Sequence, residues 1–144
     1  MLKLLDDLTN IIREIESSLS VHLTDEDFRD GRDETVHIFL HEACHAAVSN
    51  CAPWIHELDD SDHTALDEVL ARLLEEKIGL LLGLAVHTSE EQVRELRHYP
   101  VSITVEQYER LRREWQQKYW PARDVEGMAT YTLNYLRQVG VISQ

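Results

Sequence analysis

His41-Glu42-Ala43-Cys44-His45 brings two imidazoles and a carboxylate within five residues. On a helix His41 and His45 stand at i and i+4, so both rings leave the same face. Two neutral imidazole nitrogens at about 2.0–2.1 Å suit Zn²⁺, and a third protein ligand would leave one coordination position for water. In such a centre the metal lowers the pKa of water towards about 7. A carboxylate next to the first ligand then takes the proton and hands it to a leaving amine. Glu42 occupies that position. The spacing therefore points to zinc-dependent hydrolysis with His41 and His45 as ligands and Glu42 as general base.

Val36-His37-Ile38-Phe39-Leu40 precede the motif and Ala46-Ala47-Val48 follow it, so Glu42 is isolated in a long uncharged stretch. Burying a carboxylate and two histidines there would be costly without compensation, and a metal supplies it. Phe39-Leu40-His41-Glu42-Ala43-Cys44-His45-Ala46-Ala47 resembles the extended active-site helix of the zincin metallopeptidases. Leu66-Asp67-Glu68-Val69-Leu70-Ala71 resembles the second helix of the glutamate-liganded branch, the gluzincins. The resemblance covers roughly residues 36–76. It implies a peptide or protein substrate, Zn²⁺ as cofactor, His41, His45 and Glu68 as ligands and Glu42 as base. Asp67 and Glu76 are the alternatives for the third ligand. Two features depart from the family: no convincing sheet precedes the active-site helix, and Arg72 stands where the family has an acid.

The elements that must position these residues are helical. Leu4, Leu5, Leu8, Ile11, Ile12, Ile15 and Leu19 recur at helical spacing and predict an amphipathic helix within residues 1–20. The polar stretch holding Asp25, Asp27, Asp30, Gly31 and Asp33 reads as a loop. A helix over 34–50 carries the motif, Pro53 and the residues to Asp62 connect, and a third helix runs over 64–84. Thr88 caps a helix to about His98, which Pro100 closes; Thr104 caps one over 105–119; Asp124 caps a last one ended by Gly140. Val101–Thr104 is a short strand or an extended linker. The expectation is a mainly α, compact single domain over 1–144, with metal-site helices in 34–86, C-terminal helices in 88–140, and at most a small strand pair near Val21 or Val101.

The other candidate groups carry weaker signals. His37 lies one turn before His41 and reads as a partly exposed histidine, with a partner behind the ligands or an alternative ligand as the other readings. His56 and His63 flank an acidic segment that reads as a solvated loop. Cys44 reads as a small buried thiol. Tyr131 and Tyr135 read as packing residues beside Met128 and Leu133, although they and Asn134 could also supply an oxyanion donor.

The 144 residues carry 27 acids against 14 Lys and Arg, a net charge of −13, which argues against a nucleic-acid partner. The longest apolar run, around Ile78–Val86, is half of what a membrane span needs. Cys44 and Cys51, seven apart on one helix, would be too far apart for a disulfide, and with no secretory pattern at the start the chain reads as cytoplasmic. Two rival readings follow from the same residues. Glu42-Ala43-Cys44-His45 and Glu95-Leu96-Arg97-His98 are two ExxH units of the type that builds ferritin-like di-iron sites, with Glu68 or Glu75 as a bridging acid. The other rival is a non-catalytic helical interaction domain.

Overall fold

The computed structural model describes residues 32–143 except 82 and 100, and the side chains from His37 onward. The helix expected within residues 1–20, the acidic loop after it, Val21 and Pro100 lie outside the described residues. The elements are α1 (Arg32–Cys51), a short 3-10 turn (Pro53–Glu57), α2 (Asp60–Leu81), α3 (Ser89–Leu96), α4 (Val105–Glu114) and α5 (Val125–Gln138). The described residues form a mainly helical, compact domain, with no β-strand among them.

Capping explains where the helices begin. Thr88 and Thr104 each accept from the backbone N–H three residues on, while Glu91 and Gln107 reach back to the cap backbone. These reciprocal pairs satisfy donors that the first helical turn would leave unpaired. Asp124 does the same for α5 through Gly127. α2 ends at Gly83, whose φ of 75° favours glycine, as Leu84 N–H returns to Gly79 O at 2.8 Å. Gly140, at φ 79°, stops α5 in the same manner.

The sequence predicts one helix over 105–119. Instead, α4 ends at Glu114 and continues as a π turn, Trp115–Tyr119. The widening lets buried Trp115 donate its indole N–H to Leu73 O of α2 at 2.9 Å. Val101–Thr104 pairs with no strand, so of the two expected alternatives it is the linker.

The core draws on every helix. Leu40, Cys44, Ala47 and Val48 of α1 join Leu66, Val69, Leu70, Leu73 and Leu74 of α2, with Leu96, Tyr108, Leu111, Met128 and Leu136 from the later helices. Ala43, Cys44 and Ala47 on α1, like Ala65 and Ala71 on α2, are almost fully buried. Small residues at the contact bring two helices close. α1 and α2 run antiparallel: His37 meets Glu75, His41 meets Glu68 and Glu75, and His45 meets Asp67 and Glu68. No described helix is long and apolar enough to cross a membrane.

Candidate metal centre

At about 100° per residue, α1 turns Leu40, Ala43, Cys44, Ala47 and Val48 into the core and leaves Ile38 and Glu42 exposed. His41 and His45 fall on the boundary, with side chains 19% accessible. Opposite them α2 presents Glu68, which is buried although it lies on the helix's polar arc. That arc, Glu68 with Arg72, Glu75 and Glu76, faces α1 and α3 rather than open solvent.

The ligand atoms converge. His41 Nε2 and His45 Nε2 are 2.9 Å apart. Glu68 Oε1 is 3.1 Å from His45 Nε2, and Glu68 Oε2 is 3.3 Å from His41 Nε2. Behind them, the rings' other nitrogens face carboxylates: His41 Nδ1 hydrogen-bonds Glu75 Oε2 at 2.9 Å, and His45 Nδ1 lies 3.0 Å from Asp67 Oδ2. A neutral imidazole that gives its Nδ1–H to a carboxylate keeps its lone pair on Nε2. Two imidazole nitrogens and a carboxylate thus meet at one point, where either ring protons or a cation must lie between them. Such a meeting is a potential metal-binding site.

The donor set fits a divalent metal. Ligands about 2.0–2.1 Å from a tetrahedral ion stand about 3.4 Å apart, close to the separations here. The charge balance agrees. Three carboxylates, Asp67, Glu68 and Glu75, surround two histidines, and without a metal only protons can offset them. Burial disfavours the charged form of His45, yet Asp67 and Glu68 outweigh it and raise the ring to about 10. Burial likewise opposes a charge on His41, but Glu68 and Glu75 raise it to about 8. Burial would lift the Glu68 carboxyl; hydrogen bonds from His41 and His45 hold it down at about 2 instead. One divalent cation can replace the two protons that this cluster otherwise retains.

Among the described residues, the cluster that could hold a metal ion is His41, His45 and Glu68, the set implied by the family resemblance. Asp67 and Glu75 support the histidines from behind. Glu76 is turned away, its carboxylate 3.0 Å from Arg112 Nε. Arg72 donates to Gln92 Oε1 of α3 at 3.0 Å. Glu42 requires a correction. An uncharged neighbourhood predicts a buried carboxylate, whereas Glu42 is on the exposed edge of α1, so its presence there does not demand a metal. The case for a metal rests on Glu68 and the two histidines.

Other candidates fall elsewhere. The second ExxH unit does not form on a helix: α3 ends at Leu96, and Glu95 and His98 are exposed. Ser49 Oγ contacts His56 Nε2, and the His56 and His63 rings are 5.0 Å apart, one turn beyond His45 along the seam. Tyr131 stacks on Tyr135 at 6.2 Å, and a surface groove of about 540 Å³ is lined by Tyr119, Asp124, Tyr131 and Asn134 without any residue of the metal cluster. The supporting role of Asp67 and Glu75 was missed from the sequence. Glu75 is seven residues after Glu68, two helical turns along the same face, and that spacing was the available signal.

Compared with models of known protein families, with characterised proteins and with solved structures, the chain shows no match. Fold and site alone therefore define the class: a mainly helical domain with a potential His-His-Glu metal-binding triad on two antiparallel helices, consistent with a zincin-like centre.

Proposed function

We propose that this chain is a zinc-dependent hydrolase of the metallopeptidase type, acting on a peptide or protein substrate in the cytoplasm. The observation that carries the reading is the meeting of His41 Nε2, His45 Nε2 and the Glu68 carboxylate, 2.9–3.3 Å apart. These three residues would hold zinc. When bound, zinc supplies Lewis acidity, polarising a carbonyl and acidifying water near neutral pH. Glu75 and Asp67 fix the ring orientation and tautomer of His41 and His45, so that each presents Nε2. Glu42 stands about 60° round the helix from His45, on the solvent side of the cluster. There it accepts a proton from the attacking water and delivers it to the leaving amine nitrogen. Cys44, buried behind the histidines as an unpaired thiol, suits a reducing compartment.

The test is metal content per chain after purification without chelator or nickel resin, followed by cleavage of a peptide library. One tightly held zinc that is lost in His45→Ala, with cleavage abolished in Glu42→Gln, is the expected result. A chain that takes up no zinc and gains no thermal stability from it would instead be a helical interaction domain.

A further inference from the structure

A groove of about 540 Å³ on α5 shares no residue with the metal cluster and has no place in the hydrolase reading. Tyr119, at the end of the π turn, and Tyr131 of α5 line it, with ring centroids 6.0 Å apart and planes inclined at 43°. Among the described residues, the charged side chains in its lining are both acids, Asp124 and Glu126. Asp124 Oδ1 accepts from the Gly127 N–H at 2.8 Å, the cap of α5. Glu126, on the first turn of that helix, is exposed. Thr130 and Asn134, one and two turns further on, add a hydroxyl and an amide oxygen as acceptors.

Aromatic faces and carboxylates share one preference, because the ring quadrupole and the negative charge both attract a cation. The chain's own side chains show it beside the groove. Lys118 Nζ lies 5.3 Å from the centroid of the Tyr119 ring, and the Arg110 guanidinium 5.2 Å from that of Tyr135. Tyr131 stands between those two rings, 6.0 Å from Tyr119 and 6.2 Å from Tyr135. Arg110 Nε also donates to the Tyr131 hydroxyl at 3.5 Å, which holds that ring by its polar end. Neither Lys118 nor Arg110 lines the groove itself, so its lining carries two negative charges and no fixed positive one.

We propose that this groove is a docking site for a basic segment of a partner protein, taking one lysine or arginine side chain against Tyr131 with Asp124 and Glu126 as counter-charges. Its volume favours a segment over a free small cation. It is that of a site for a drug-sized molecule, well beyond what one ammonium or guanidinium group fills. The net charge of −13 steers such a partner towards the chain. The inference is independent of whether the metal centre hydrolyses anything.

The experiment is a titration of the ¹⁵N-labelled full chain with the peptide acetyl-Gly-Lys-Gly-amide, followed by NMR. Salt at about 0.1 M screens the diffuse field of the acidic surface beyond about 10 Å. Saturable shifts centred on Gly127, Thr130, Tyr131 and Asn134 are expected. The norleucine peptide, which keeps the stem and loses the charge, should give none. Tyr131→Leu should weaken binding about 2–5-fold and Tyr131→Phe should restore it, because only the ring face is needed. Glu126→Gln should also weaken it about 2–5-fold. Glu126 is exposed, so this variant keeps the fold. Glu106→Gln makes the same change in net charge at an exposed position outside the groove, and should leave the affinity unchanged. Norleucine binding as tightly as lysine would overturn recognition of charge. Shifts that never saturate, or equal losses in Glu106→Gln and Glu126→Gln, would overturn the site and leave a diffuse acidic surface. Tetramethylammonium bound as tightly as the peptide would overturn the protein partner in favour of a free small cation.

Discussion

Asp67→Asn separates a residue that supports a ligand from one that is a ligand. Asp67 Oδ2 lies 3.0 Å from His45 Nδ1, on the side of the ring away from Glu68. Asparagine keeps the shape and removes the charge. An ion held at His45 Nε2 would be about 6 Å from that carboxylate, across the ring. For charges of +2 and −1, an effective dielectric of about 40–80 suits a side chain 22% accessible. It gives an attraction of about 1.4–2.8 kcal/mol. Losing it weakens zinc binding about 10–100-fold, the range found when the carboxylate behind a ligating histidine is removed. The assay is competition for zinc with a fluorescent chelator at fixed neutral pH. Asp59→Asn is the control: it makes the same change in net charge at an exposed position eight residues away. His45→Ala, which removes a ligand outright, sets the scale for complete loss. An Asp67→Asn affinity within about threefold of Asp59→Asn would refute the support role. A loss as large as that of His45→Ala would make Asp67 a ligand itself.

Glu42→Gln should reduce peptide cleavage at least about 100-fold while zinc content and melting temperature hold, because Glu42 is exposed and makes no structural contact that its amide would break. Burial pushes the Glu76 carboxyl from 4.5 up to about 7, with Arg112 offsetting only part of that, so the folded state holds this proton more tightly than the unfolded chain. Glu76 therefore costs stability as pH rises from about 4.5 through about 7, and Arg112→Met should destabilise by about 3–5 kcal/mol near pH 8 but clearly less near pH 5. Urea midpoints at the two pH values check this, and equal losses would count against the pairing. Gly127→Ala should cost about 1–2 kcal/mol, read from the same midpoints, because a Cβ there would strike the Asp124 carboxylate that caps α5 and crowd Tyr119 Cε1 at 2.9 Å.

What the sequence disclosed follows from how local the determinant was. His41 and His45 were legible because an i, i+4 pair shares a face on any helix, whatever surrounds it. Thr88, Thr104 and Asp124 were legible as caps because their partners lie three residues on. Glu68 was reachable only through the resemblance. A helical wheel gives a polar arc, and whether that arc meets water or α1 is decided by tertiary packing. The same ignorance misjudged Glu42. A run of uncharged neighbours does not reveal which side of α1 is covered, and positions 38 and 42 lie outward together. Asp67 and Glu75 required the antiparallel register of α1 against α2. The π turn after Glu114 answers to Leu73 O, a partner 42 residues away.

The position of the cluster on a boundary decides what a metal there could do. Structural zinc sites are closed by four protein ligands, and catalytic ones leave a position open. Here three ligand groups meet, with Glu68 on the core side at 10% side-chain accessibility and the histidines at 19%. The solvent side is the side that carries Glu42. A sheet edge is missing among the described residues, so a peptide could not be gripped there by main-chain pairing. What runs past the cluster instead is a polar seam. His37, His41 and His45 recur at four-residue spacing on α1, faced by Glu75, Glu68 and Asp67 on α2. Acidic groups flank the histidines along this seam, so its field is negative wherever no cation offsets it.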